Sequence, residues 1–280
     1  MIGTMSEPVH HSVEVDVAAG DVDVVVDQIW LCEPMAVGEL ETAHGVRYTV
    51  GFADRHSADR AMARLAAWRP TLHTAAADDW VSTWRQGATP MLAGPFRVRL
   101  PEHEPIDDCT DVEIEPGVTF GFGHPSTLLA LELLARADIV GTHVLDVGSG
   151  SGILGVAAAL LGAATVVAVD VDAAAVAATT DNARRNRVAV DARLGSVGVT
   201  AAEPVDVIVA NLTAGTQAAV LPELGPRLAP HTSTIVSGLL DGQETTVASL
   251  LPRRAIVDEA RLDGWIAVRL ALPSAASPSP

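Results

Sequence analysis

The chain has 280 residues, 49% of them hydrophobic, with 18 Lys+Arg against 35 Asp+Glu and a formal net charge of −17 at pH 7. That length and apolar content predict one large or two moderate domains with real cores and exclude a disordered polypeptide. The negative balance argues against a nucleic-acid surface and fits either a basic protein or peptide partner or a solvated, solubilising surface. The chain contains no lysine, a compositional bias without functional weight. Its longest apolar runs are broken by Gly, Asp or Pro well short of a membrane span, and residues 1–12 lack a basic-then-apolar leader, so a cytoplasmic protein with no membrane contact is expected. Cys32 and Cys109 lie in different regions and predict reduced thiols and no metal cluster.

In chain order, 1–12 is expected to be disordered. Valines alternate with period two at 13, 15, 17 and again at 22, 24, 26, which predicts β structure, although 22–31 also fits a helix. A better strand covers 45–52. Ser57 then opens an amphipathic helix that buries Ala58, Met62, Leu65 and Ala66 and ends near Arg69-Pro70. These pieces make a small α+β domain over 13–77 with no catalytic constellation, a recognition or scaffold unit. Trp80 and Trp84, at i, i+4 spacing, read as a hydrophobic anchor between two domains. Pro90, Pro95, Pro101, Pro105 and Pro116 punctuate a stiff linker over 78–118 that contains a strand at 96–100, with the domain boundary between 84 and 111. A glycine-rich segment follows, Glu115-Pro-Gly-Val-Thr-Phe-Gly-Phe-Gly-His-Pro-Ser-Thr127, directly before a helix over 128–135. It reads as a ligand-facing loop with polar groups at a helix N-terminus.

The second domain, 119–272, is organised around 144–172. A strand at 144–147 holds Asp146 and runs into Gly148-Ser-Gly150-Ser-Gly152. A helix over 153–161 and a strand over 165–169 follow, closed by Asp170. Strand, glycine turn, helix, strand and terminal carboxylate form a nucleotide-binding half of a doubly wound sheet. The glycines admit backbone amides to a ligand, and the carboxylate can accept from ribose hydroxyls. The spacing is G-x-G-x-G, not the G-x-G-x-x-G of dinucleotide folds, and it resembles motif I of class I S-adenosylmethionine-dependent methyltransferases. Asp172 caps a helix to 186, and strands are expected at 188–194, 205–211 (ending in Asn211) and 234–237. After a helix over 241–251, 254–261 and 264–272 alternate as closing strands, antiparallel at one edge, before a disordered tail over 273–280. The expected fold is an α/β, Rossmann-like methyltransferase sheet, mostly parallel with one antiparallel edge strand, beside the smaller α+β domain.

Taken together, the loop at 115–127, Val144 to Leu154, Asp170, and Val209-Ala-Asn211-Leu-Thr-Ala-Gly215 resemble the ribosomal-protein lysine methyltransferase family PrmA. That family has D-P-G-x-A-F-G-T-G-T-H-P-T-T, V-L-D-V-G-C-G-S-G-I-L, an acidic strand end and V-A-N-I-L-A-G in this order. The resemblance implies an S-adenosylmethionine-dependent protein N-methyltransferase acting on amines of ribosomal protein L11, a monomer that touches no nucleic acid and grips its substrate with the N-terminal domain. The cofactor would lie against Gly148, Ser149, Gly150 and Gly152. Asp146 would orient its ammonium, Asp170 and Val171 would hold the ribose side, and Ser196 would lie near the adenine. Phe122, Gly123 and Thr127 would close the pocket. Asn211, which would also contact the cofactor, and the carbonyl of Leu212 would hold the incoming amine. His124 is either part of a lid over the methyl group, able to accept a proton, or a helix N-cap. Three departures stand out: the loop is one residue short at Gly121-Phe-Gly123-His124, Gly195-Ser196 stands near where relatives place an acidic residue, and the N-terminal domain is abbreviated. A small-molecule methyltransferase with a changed acceptor loop and a non-enzymatic binding module are the alternatives.

Overall fold

The computed structural model describes residues 9–32, 34, 36–42, 45–52, 54–76, 89–115 and 122–273. The expectations for residues 1–8, for the Trp80/Trp84 anchor and for the tail from 274 lie outside them. The chain divides into two compact units, Met1–Thr89 and Pro90–Pro280.

Unit 1 runs β1 (Val9–Ala18), α1 (Val22–Trp30), β2 (Ala36–Thr42), β3 (Gly45–Phe52), α2 (Arg55–Arg64) and β4 (Thr71–Ala76). Its sheet has the order β2-β3-β1-β4 with every pair antiparallel, a split βαβ arrangement of ferredoxin type. Val13, Val15 and Val17 alternate inward from β1 and meet Tyr48, Val50 and Phe52 of β3, with Val25 and Ile29 of α1 and Ala58 and Ala61 of α2 closing the core. Four expectations change or are decided. Residues 9–12 belong to β1. Residues 22–30 are helical, because Val22, Val25 and Ile29 fall on one helical face and pack on the sheet. Asp54, not Ser57, caps α2, its carboxylate accepting from Ser57 N at 2.8 Å. Ala66 is exposed because α2 ends at Arg64 and the chain tightens to a 3₁₀ turn, Ala66–Trp68, which breaks the helical register.

Unit 2 begins with β5 (Met91–Ala93), β6 (Phe96–Arg99) and β7 (Thr110–Glu113), a three-stranded sheet in that order. The stretch expected as a stiff linker therefore carries three strands between 91 and 113. Pro90, Pro95 and Pro101 flank these strands without interrupting them, and Phe96, Val98, Val112 and Ile114 join a core with Leu131 and Leu134.

The main sheet follows: α3 (Pro125–Arg136), β8 (His143–Val147), α4 (Ile153–Leu160), β9 (Thr165–Asp170), α5 (Ala173–Arg185), β10 (Asp191–Leu194), β11 (Val205–Asn211), α6 (Ala214–Val220), β12 (Leu228–Leu240), α7 (Glu244–Ala248), β13 (Ala255–Leu262) and β14 (Trp265–Ala271). Strand order is β10-β9-β8-β11-β12-β14-β13. Six strands run in one direction and β14 runs against both its neighbours, so the antiparallel strand lies one place in from the edge. Winding reverses direction between β8 and β11, the switch point at which open α/β sheets bind ligands beyond their strand ends. Ala210 pairs with Val147 there, which sets Asn211 level with Gly148. No helix among the described residues is long and apolar enough to cross a membrane. Nor do those residues bring together three or more His, Cys, Asp or Glu able to hold a metal ion.

Candidate functional site

The glycine turn forms because Gly148, Gly150 and Gly152 all adopt positive φ, at 75°, 54° and 81°. It is fastened to the end of β9: Gly148 N and Ser149 N both donate to Val169 O, at 2.8 and 3.1 Å. Asp170 is half-buried and ordered from two sides, Oδ2 accepting from Gly150 N and Oδ1 from Asp172 N, each at 2.9 Å.

Asp146, beneath the turn, is 1% exposed. Its Oδ2 accepts from Gly155 N at 2.9 Å, whereas Oδ1 is buried with no hydrogen-bond partner. Burial pushes its pKa up to about 7 against the lowering effect of the Gly155 bond, and the charge of Asp170 adds to the rise. Stranding a carboxylate oxygen in this way is costly unless a cation or donor meets it. Around the turn, Val171 is 77% exposed next to Asp170, and Leu194, which pairs with Asp170, and Val199 are exposed as well. Ser196 is half-buried and precedes the 3₁₀ turn Val197–Val199. This side of the site offers an ionisable acceptor, a second carboxylate and an apolar rim. It suits a ligand that carries an ammonium, vicinal hydroxyls and a flat ring.

Two residues expected against the cofactor also have packing roles. A Cβ on Gly152 would stand 2.8 Å from the Cα of Thr179, so that glycine permits α4 to start against α5. Ser149 Oγ accepts from Thr179 Oγ1 at 2.9 Å and points into the fold. Gly148 meets the other side of the site, because a Cβ there would lie 2.3 Å from Leu212 Cδ2.

Across the switch point, Asn211 ends β11. Its Nδ2 donates to Thr127 Oγ1 at 3.1 Å, and its Oδ1 is buried without a hydrogen-bond partner. Thr127, expected on the cofactor, thus sits on the Asn211 side and sets the direction of that carboxamide. The Leu212 carbonyl, expected to receive an amine, already accepts from Gln217 Nε2 at 2.8 Å and lies against Gly238. Asn211 Oδ1 is the oxygen left open. Ser237 Oγ donates to Ser126 O at 2.7 Å and ties β12 to the start of α3.

His124 is the N-cap of α3. Its Nδ1 accepts from Ser126 N at 3.1 Å, and its ring stands edge-on to Trp265 with centroids 4.7 Å apart. Burial pushes its pKa down to about 3, so the ring is neutral at pH 7 and a poor proton acceptor. Of the two expectations for His124, the geometry favours the cap. Phe122 packs against the core, and Gly123 N donates to Met91 Sδ at 2.9 Å.

Sequence reasoning missed Thr179, Asn182, Asn186, Gln217 and Trp265. One signal was available for the first three: polar residues at 179, 182 and 186 interrupt the apolar face of an alanine-rich helix at helical spacing.

A sequence model of the family described as ribosomal protein L11 methyltransferase (PrmA) matches residues 21–272. The ribosomal protein L11 methyltransferase of Methylococcus capsulatus is 41% identical over 192 residues, which cover 67% of this chain and 66% of that protein. The protein of the same name from Symbiobacterium thermophilum is 38% identical over 201 residues, 68% of this chain and 65% of that one. The chain spans just under two thirds of the length of these two relatives. Among solved structures, the ribosomal protein L11 methylase of Lactobacillus delbrueckii subsp. bulgaricus superposes with a TM-score of 0.59 at 28% identity, over 64% of this chain and 96% of that one.

Proposed function

Because this chain belongs to the ribosomal protein L11 methyltransferase (PrmA) family, we propose that it is an enzyme that moves methyl groups from S-adenosylmethionine to amines of ribosomal protein L11. One observation carries the reading: two buried oxygens without hydrogen-bond partners, Asp146 Oδ1 and Asn211 Oδ1, lie at the ends of neighbouring strands at the switch point. One suits the ammonium of a cofactor and the other an incoming amine.

S-adenosylmethionine supplies an electrophilic methyl group on a sulfonium, and transfer is an in-line displacement, so the protein's task is to bind, align and desolvate. Asp146 holds the ammonium, and the Gly148–Gly150 backbone allows close approach. Asp170 accepts from the ribose hydroxyls, and Val171 and Leu194 cover the ring. Asn211 Oδ1 accepts an N–H of the amine, which turns the nitrogen lone pair toward the methyl group, while Thr127 keeps the carboxamide from rotating. His124 shapes the start of α3 and takes no part in proton transfer.

The ferredoxin-type unit is the substrate-recognition domain in this reading, and the net charge of −17 favours a basic protein over nucleic acid. The enzyme acts as a monomer in the cytoplasm. Incubation with radiolabelled S-adenosylmethionine and purified L11 is expected to label L11. A protein that binds the cofactor and leaves L11 unlabelled would overturn the assignment and favour a small-molecule acceptor.

A further inference from the structure

Helix α5 and its C-cap residue Asn186 carry a stripe of polar side chains that the reaction above leaves unused. Thr179 and Asn182 are both 0% exposed, and Asn186 is half-buried. Positions 179, 182 and 186 share one helical face. Asn182 Nδ2 donates to Ser151 O in the glycine turn at 2.8 Å and to Glu115 O at 3.0 Å, and its Oδ1 accepts from Glu115 N at 2.8 Å. One turn later Asn186 Oδ1 accepts from Glu113 N at 2.9 Å, and its Nδ2 donates to Glu113 O at 2.6 Å and to Asn182 O at 2.8 Å.

Glu113 and Glu115 are alternate residues of extended chain, so their backbone groups point the same way. The two carboxamides therefore stand in for a missing neighbouring strand at the end of β7. Thr179 works on the other side of the stripe, donating to Ser149 Oγ. Burying amides in this way adds little net stability, because each bond made replaces one to water. What it does provide is register. Asn182 is the one member of the pair that joins two structures, the glycine turn and the extended chain after β7 at Glu115.

We infer that Asn182 is a positioning residue for the cofactor: it locks Ser151 to Glu115 and so presets the backbone of the glycine turn before a ligand arrives. The inference rests on the reading of that turn as the S-adenosylmethionine site. Asn186 provides an internal control, since it anchors the same strand through the same kind of bonds without touching the turn.

Calorimetric titration with S-adenosylmethionine, run well below the melting temperature of each protein, separates the roles. Asn182→Ala is expected to raise Kd about tenfold or more, whereas Asn186→Ala costs comparable thermal stability and changes Kd less than about threefold. If the alanine variant does not fold, Asn182→Ser, which keeps a small polar group but reaches neither backbone, gives the same contrast. A Kd for the Asn182 variant within threefold of wild type, or an equal loss in Asn186→Ala, overturns the inference and leaves the site reading standing. Failure of the wild-type protein to bind overturns both.

Discussion

Asp146→Asn is expected to weaken S-adenosylmethionine binding about 30- to 100-fold, the worth of one charge-assisted hydrogen bond, while raising the stability of the ligand-free protein at pH 8. The two effects have one cause. Asp146 is buried, and its pKa is raised from 3.8 to about 7. A carboxyl group whose folded pKa lies above its unfolded value favours folding most at low pH. That contribution is complete below about pH 4 and is lost as pH rises through about 7, where the ionised oxygen stands unmet in the fold. Three units correspond to an upper bound of roughly 4 kcal/mol. Asparagine keeps the bond from Gly155 N and removes the ionisation, so the variant should melt higher than wild type at pH 8 and lose part of the decline between pH 4 and 7. Cofactor binding has the opposite pH dependence. A cationic ammonium favours the ionised carboxylate, so wild-type affinity should rise with pH and level off above about 7, and that rise should vanish in Asp146→Asn. Calorimetry from pH 5.5 to 8.5, paired with thermal melts, checks both signs.

Asn211→Ala should lower kcat/KM for the acceptor by about 100-fold, as expected when one preorganised polar contact at a reacting centre is removed. The Kd for S-adenosylmethionine should stay within about threefold of wild type. Thr127→Val, which leaves the carboxamide in place without its orienting oxygen, should show a smaller loss in the same direction. Initial-rate kinetics with L11, together with cofactor titrations, separate the possibilities. An unchanged rate would remove Asn211 from the transfer centre, and a parallel loss of cofactor affinity would move it to the cofactor side.

Much of this site was legible in the sequence because its signals are local. Strands β3 and β11 appear at 45–52 and 205–211 because each is a β-branched, apolar run bounded by glycine or polar residues. The glycine turn and Asp170 occupy one supersecondary unit, and Asn211 ends a buried strand, so their placement needed no knowledge of distant contacts. Valine-rich 22–30 was ambiguous because its residues favour strands, and the burial of Val25 and Ile29 on one face decides for the helix. Prolines between 90 and 105 resembled connector punctuation, yet several of them sit where strands begin and end.

What stayed hidden depends on contacts between residues far apart in the chain. Thr127 finds Asn211 across 84 positions, and Asn182 finds Glu115 across 67. Neither pairing follows from spacing or composition. Glycine in such a turn has two uses, close approach of a ligand and close packing of a helix, and the second is invisible at Gly152 until the Thr179 backbone is seen beside it.

The central claim is that the turn at 148–152, with Asp146 below it and Asp170 beside it, takes S-adenosylmethionine and not a dinucleotide. Titrating the wild-type protein with S-adenosylmethionine and, separately, with NAD tests this most directly. Saturable one-to-one binding of S-adenosylmethionine, with no binding of NAD under the same conditions, is the predicted result. Binding of NAD, or no binding of S-adenosylmethionine by the folded protein, would contradict it.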